Sequence, residues 1–125
     1  MEKAFKLDTE FNTARINLAA GYILNKQQAE AEKLLQEWFG TADIANQILI
    51  QVYSQVQNYR RLAGVWEAFV KQEPKNLEYR KNLSGAYLLA DQKASATQVL
   101  KQAILDFPEF KEEGEKLIKE IKSSK

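Results

Sequence analysis

Catalysis in this sequence would have to rely on carboxylates, lysines, tyrosines and serines, because its 125 residues include neither histidine nor cysteine. The most common general base, the thiol nucleophile and the most common metal ligands are therefore missing. Acidic residues are interspersed with basic ones, and no spacing sets two acids face to face as a catalytic carboxylate pair would require. No glycine-rich phosphate loop or calcium-loop spacing occurs. We therefore expect a protein that is not an enzyme and that uses no cofactor and no metal.

The charge pattern also excludes several kinds of partner. The formal net charge is +1, with both signs mixed along the chain, whereas nucleic-acid binding and polybasic membrane anchoring both need a basic face. No apolar run reaches the 18 or so residues of a membrane span, and the segment 1–7 lacks the apolar run of a signal peptide. We expect no nucleic-acid partner and no direct membrane insertion. The compartment stays open, with the cytoplasm favoured.

Apolar residues recur at helical spacing along nearly the whole chain, which predicts an all-α protein. In the first helix we expect a buried stripe that comprises Phe11, Ala14, Leu18, Gly21 and Tyr22. Asp8 or Thr9 is expected to cap the first helix, Thr41 or Asp43 the third and Asn76 the fifth, while residues 123–125 are expected to fray. The seven predicted helices run from about Thr9 to Leu24, Gln27 to Phe39, Asp43 to Val56, Tyr59 to Gln72, Leu77 to Leu89, Lys93 to Asp106, and Pro108 to Lys122.

A repeated pattern of small and bulky residues is the strongest signal in the sequence. Its third copy is Leu83, Ser84, Tyr87, Ala96, Leu100, Ala103 and Pro108. In the second copy, Leu49, Tyr53, Trp66 and Pro74 lie 34 residues before Leu83, Tyr87, Leu100 and Pro108, respectively. This order and period resemble the tetratricopeptide repeat. A first copy follows from Leu18, Ala19, Tyr22, Ala31, Leu35 and Trp38, although Tyr22 precedes Tyr53 by 31 residues. We place the shortfall in the turn at residues 40–42, which also lacks the closing proline.

The resemblance implies a fold and a set of boundaries. The fold would be a right-handed superhelix, an α-solenoid of three helix-turn-helix hairpins plus a seventh, capping helix, within one domain of residues 1–125. The repeats would cover about 9–42, 43–76 and 77–110, and the capping helix about 109–122. That last helix has an apolar stripe of Phe110, Leu117, Ile118 and Ile121 opposite a densely charged face. Docking of this helix on a partner or on another copy is the alternative.

The resemblance also implies a binding surface, because the first helices of such repeats line a concave groove. Asn17, Gln47, Gln51, Lys81 and Asn82 would then be polar contacts and Ile16, Ile23, Ile48 and Leu88 apolar anchors. Residues 44–59 carry no charge and are rich in amides, which suit a peptide backbone; amides kept only for solubility are the alternative. The full set of groove candidates is Ile16, Asn17, Ala20, Ile23, Gln47, Ile48, Gln51, Ser54, Lys81, Asn82, Gly85 and Leu88.

These features predict a non-enzymatic scaffold that binds a protein or peptide segment in the groove. A monomer is expected, and self-association through the last helix is the alternative. The clamp by which some of these domains hold chaperone tails is not expected, because Ile16, Ala20, Ile48, Glu78 and Asn82 occupy its key positions. The segments 65–76 and 107–113 resemble, more weakly, the tails of larger bacterial membrane proteins, which leaves a soluble domain of such a protein as another alternative. A designed repeat is disfavoured, because the first copy is irregular.

Overall fold

The computed structural model describes the backbone of residues 2–123 and the side chains of residues 10–123. Within this range the protein is all-helical, and each helix packs against its neighbours. The fourth, fifth and sixth helices have the predicted bounds. The helices are α1 (Glu2–Leu24), α2 (Gln28–Phe39), α3 (Gln47–Gln55), α4 (Tyr59–Gln72), α5 (Leu77–Leu89), α6 (Lys93–Asp106) and α7 (Lys111–Ser123), with a 3₁₀ turn at Pro108–Phe110 before α7.

Three turns between helices have the same geometry. In each, a tyrosine carbonyl accepts a hydrogen bond from the backbone N–H five residues later, and the residue before that N–H has a positive φ, a common way to end a helix. The bonds run from Gln27 to Tyr22 at 2.8 Å, from Asn58 to Tyr53 at 2.9 Å and from Gln92 to Tyr87 at 2.8 Å. The positive φ angles are 63° at Lys26, 60° at Gln57 and 61° at Asp91. Tyr22, Tyr53 and Tyr87 therefore occupy equivalent places in three helical hairpins.

The packing follows the order of the chain. Helix α1 contacts α2 and α3, α3 contacts α4, α4 contacts α5, α5 contacts α6, and α6 contacts α7. A large core lies under α1 to α5 and a smaller one under α6 and α7, with Tyr87 packed against both. Small residues are buried at the helix contacts, which lets backbones approach closely; they include Ala19, Ala31, Ser84, Ala96 and Ala103.

Helix α1 differs from its prediction in its start and in its buried face. It begins at Glu2 rather than at Thr9, so the proposed cap at Asp8 or Thr9 is wrong. Its buried residues are Ile16, Ala19, Ala20 and Ile23, while Phe11, Ala14, Leu18 and Gly21 are exposed and Tyr22 is half-buried. Apolar residues of α1 occur on all sides of the helix, so their periodicity did not identify the face that packs against α2 and α3.

Helix α3 begins at Gln47 instead of Asp43, and neither Thr41 nor Asp43 caps it. The cap is Asn46, whose side-chain oxygen accepts a hydrogen bond from the Ile48 N–H at 2.8 Å. Residues 40–46 form the irregular loop that carries the shortened spacing. Its Asp43 lies against α4, where a Cβ on Gly64 would be 2.3 Å from the Asp43 carboxylate oxygen Oδ1.

The last helix packs its apolar stripe inward. Phe110 and Ile121 are buried, Leu117 and Ile118 are half-buried, and all four belong to the smaller core. Pro108 opens the 3₁₀ turn, where a missing N–H costs no hydrogen bond. Ser123 is the final residue of α7, while the predicted fraying of Ser124 and Lys125 lies outside the described residues.

Candidate peptide-binding site

A cavity of about 300 Å³ opens between α5 and α7. Helix α6 contributes Leu100, and helices α5 and α7 supply the rest of the lining. Its size is at the lower end of the range for ligand sites in proteins. The lining residues are Lys81, Ser84, Gly85 and Leu88 of α5, Leu100 of α6, and Leu117, Glu120 and Ile121 of α7.

Gly85 keeps the α5 wall open. A Cβ built at this position would have nothing within 4 Å. The glycine is therefore not needed to avoid a clash, and its lack of a side chain leaves open space in the wall. One helical turn further on, Leu88 is exposed beside this space. The wall therefore combines an unfilled position with an accessible apolar side chain.

Close contact with α6 positions the α7 wall. A Cβ at Gly114 would lie 2.6 Å from Ile104 Cγ1 and 2.9 Å from Phe110 Cε2, so only glycine permits this approach. Lys81 also joins α5 to α7, because its Nζ lies 3.0 Å from Glu113 Oε2. This hydrogen bond to Glu113 raises the pKa of Lys81.

The polar groups near the cavity are mostly satisfied within the protein. The Ser84 hydroxyl donates a hydrogen bond to the Ala96 carbonyl at 3.2 Å and so ties α5 to α6. Lys81 pairs with Glu78 as well as Glu113, which leaves Glu120 as the exposed charge of the α7 lining. The remaining lining is aliphatic, so the arrangement can hold an apolar side chain.

The predicted groove residues of the third hairpin meet at this cavity, and those of the second do not. Lys81, Gly85 and Leu88 line it, whereas Asn82 is exposed on α5 outside the lining. On α3, a helix that packs against α1 and α4, Gln47, Gln51 and Ser54 are exposed and Ile48 is half-buried. These amide and hydroxyl side chains form a separate polar surface.

The first hairpin departs from the predicted groove. Asn17 is exposed, but Ile16, Ala20 and Ile23 are buried in the large core. Ile16 and Ile23 therefore offer no surface to a partner, and their prediction as apolar anchors is wrong. They fill the contact of α1 with its neighbouring helices, a role that the sequence had suggested for Leu18 and Tyr22.

Residues of α7 complete the site. The sequence predicted a capping helix here, with docking on a partner or on another copy as the alternative. Leu117 and Ile121 were recognised as part of an apolar stripe, but periodicity shows which face is apolar and not where packing leaves space. The glycine at position 85, in the interior of a predicted helix, was a signal for an unfilled position.

A second polar cluster ties the 40–46 loop to two helices. Arg61 of α4 pairs with Glu32 of α2 at 2.5 Å and with Asp43 of the loop at 3.3 Å, and Asn58 donates a hydrogen bond to Gln28. Beneath them Tyr53 is fully buried, and this burial raises its pKa to about 12. These contacts bind the hairpins together. No group of acidic residues among the described side chains could hold a metal ion.

Comparison with protein-family models, with curated proteins and with solved structures gives no match. No helix among the described residues is long and apolar enough to cross a bilayer.

Proposed function

We propose that this chain is a scaffold of the tetratricopeptide-repeat type and that the cavity between α5 and α7 binds one apolar side chain of a partner protein or peptide. The repeat assignment is supported by the three equivalent turns, which recur after 31 and then 34 residues. Stacking of these hairpins into a right-handed superhelix, with α7 as its cap, belongs to the same proposal.

The aliphatic cavity beside Leu88 is the observation that carries the binding function. Burial of apolar surface is worth about 25 cal/mol per Å², and a preformed space avoids the cost of opening one. Glu120 lies beside the aliphatic lining, so a basic residue next to the inserted apolar side chain would be favoured. Exposed Gln47 and Gln51 offer hydrogen bonds to a longer segment.

A cavity-filling variant tests this function directly. A library of random 12-residue peptides displayed on phage is selected on the unmodified protein and counter-selected on Gly85→Leu. Gly21→Leu is the matched control, because Gly21 is also helical and a Cβ there has nothing within 4 Å. We expect peptides with a shared apolar residue that bind Gly85→Leu at least tenfold more weakly and Gly21→Leu with unchanged affinity. Equal binding to both variants, or no enrichment, would contradict the proposal.

Assembly through α7 is less well supported. Its apolar stripe packs on α6, and the outward face is rich in lysine and glutamate. A constant monomer mass in light scattering over a wide concentration range is the expected result, and a dimer lost on substitution in α7 would favour assembly.

A further inference from the structure

Helix α1 carries an exposed apolar strip at the other end of the helical stack. Phe11, Ala14, Leu18 and Gly21 follow one another at helical spacing and are all exposed, and we call them the α1 end face. Arg15 lies beside this strip, where its guanidinium stacks on the Phe11 ring at 4.2 Å. The strip is separate from the α5/α7 cavity, so its role is independent of the function proposed above.

The equivalent places in the other hairpins are buried. Leu18, Leu49 and Leu83 each lie four residues before the tyrosine of their turn, but Leu18 is 53% exposed while Leu49 and Leu83 are 0% and 4% exposed. One residue before each tyrosine, Val52 and Ala86 are also buried, whereas Gly21 is exposed. This face of a first helix is therefore covered in the second and third hairpins and uncovered in the first.

Helix α4 shows what covers this face in the third hairpin. Tyr79, the equivalent of Ala14, lies 5.8 Å from the Trp66 ring and 5.2 Å from the Phe69 ring, measured between centroids. The Tyr87 hydroxyl donates a hydrogen bond to the Glu67 carboxylate at 2.9 Å. The cover thus consists of an amphipathic helix with two aromatic residues three positions apart and a carboxylate directly after the first.

We propose that the α1 end face binds an amphipathic helix of a partner protein in the way that α4 packs on α5. The partner's aromatic pair would lie over Ala14, the equivalent of Tyr79, and its apolar face would cover Leu18 and Gly21, the equivalents of the buried Leu83 and Ala86. Its carboxylate would accept a hydrogen bond from Tyr22, the equivalent of Tyr87, and the positive charge of Arg15 beside the strip favours this carboxylate. The partner helix would thus cover α1 as α4 covers α5, the first helix of the third hairpin.

The α4 sequence itself is the probe. A fluorescently labelled peptide of residues 59–72, held helical by a covalent link that replaces Arg60 and Gly64, is titrated with the full chain and followed by anisotropy. At 100° per residue this link lies on the opposite side of the helix from Trp66. A second peptide with Trp66→Ala and Phe69→Ala is the matched control for the aromatic pair.

Two variants of the protein locate the binding. We expect the first peptide to bind the unmodified chain in the micromolar range, to bind Leu18→Glu at least tenfold more weakly, and to bind Leu105→Glu without change, since Leu105 is 74% exposed on α6. The control peptide should lose at least tenfold. Thermal melting verifies that Leu18→Glu is folded.

Three results would overturn the proposal. The first is an equal affinity of the peptide for Leu18→Glu and the unmodified chain, and the second is no binding at millimolar concentration. The third is a dimer of the unmodified chain that Leu18→Glu converts to a monomer, because a second copy would then occupy the face. Gly85→Leu, which fills the cavity at the other end, should leave this binding unchanged.

Discussion

Gly114 of α7 lies so close to Ile104 of α6 that a Cβ on the glycine would be 2.6 Å from Ile104 Cγ1. The contacting atom belongs to the half-buried side chain of Ile104. The two helices would therefore have to separate to admit a methyl group at position 114. The position of α7, and with it one wall of the cavity, therefore depends on a glycine.

Gly114→Ala should lower the free energy of unfolding by about 1–3 kcal/mol, the usual cost of overpacking. Gly85→Ala is the control, because the same change into open space should raise the free energy of unfolding by about 0.5–1 kcal/mol through the lower entropy of the unfolded chain. Urea denaturation followed by circular dichroism measures both. Equal effects of the two substitutions would show that α7 is not packed at this distance.

The hydroxyls of Tyr53 and Tyr87 should contribute with opposite signs. The buried Tyr53 hydroxyl has no hydrogen-bond partner among the described residues, and an unsatisfied buried polar group costs about 1–3 kcal/mol. We therefore expect Tyr53→Phe to leave the free energy of unfolding unchanged or to raise it.

Tyr87→Phe should lower the free energy of unfolding by about 0.5–1.5 kcal/mol, because it removes the hydrogen bond to Glu67. The same urea titrations compare the two variants. A greater loss for Tyr53→Phe than for Tyr87→Phe would mean that the Tyr53 hydroxyl is bonded in solution.

The ion pair between Arg80 and Asp106 predicts a pH dependence of stability. Arg80 is buried and also donates to the Pro74 carbonyl, and its hydrogen bond to the Asp106 carboxylate lowers the pKa of Asp106 below its ordinary 3.8. A lowered carboxyl pKa stabilises the folded state above the unfolded-state pKa, and this contribution disappears as the pH falls through the folded-state pKa.

Asp106→Asn should therefore be less stable than the unmodified chain at pH 7, and the gap should close as the pH falls below about 4. Urea titrations from pH 7 to pH 2.5 measure the gap, with Glu115→Gln on the exposed face of α7 as the control. A gap that persists at pH 2.5 would contradict the ion-pair explanation.

The start of α3 can be tested through its cap. Asn46→Ala should lower the free energy of unfolding by about 0.5–2 kcal/mol, because it removes the acceptor for the Ile48 N–H. Thr41→Ala should cost less, since the Thr41 hydroxyl accepts a single bond from Asp43 within the loop. The reverse ranking would place the helix start near Asp43, where the sequence alone had suggested it.

Helices α4, α5 and α6 have the bounds predicted from the sequence, because turn residues interrupt the helical pattern between them. Asn58 and Asn76 cap α4 and α5 through their side chains, and Pro74 and Pro108 interrupt the helical pattern after α4 and α6. The start of α3 could not be predicted, because Thr41, Asp43 and Asn46 are all good caps and apolar residues continue the helical spacing between them.

The candidate site was predicted in part. The resemblance to the repeat family placed Lys81, Gly85 and Leu88 on one wall of the groove, and these three residues line the cavity. For α1 two apolar faces were available, and only packing against α2 and α3 decides that Ile16 and Ile23 are buried and Leu18 is exposed. Competition between faces of similar hydrophobicity is a tertiary effect that periodicity does not resolve.

The central claim is that the α5/α7 cavity receives an apolar side chain of a partner. The most direct test is an amide chemical-shift titration of the isotope-labelled chain with a peptide selected as described above. The account predicts that the largest shifts cluster at Gly85, Leu88, Leu117 and Ile121 and vanish in Gly85→Leu. Shifts confined to α1 or α3, or shifts that persist in Gly85→Leu, would contradict it.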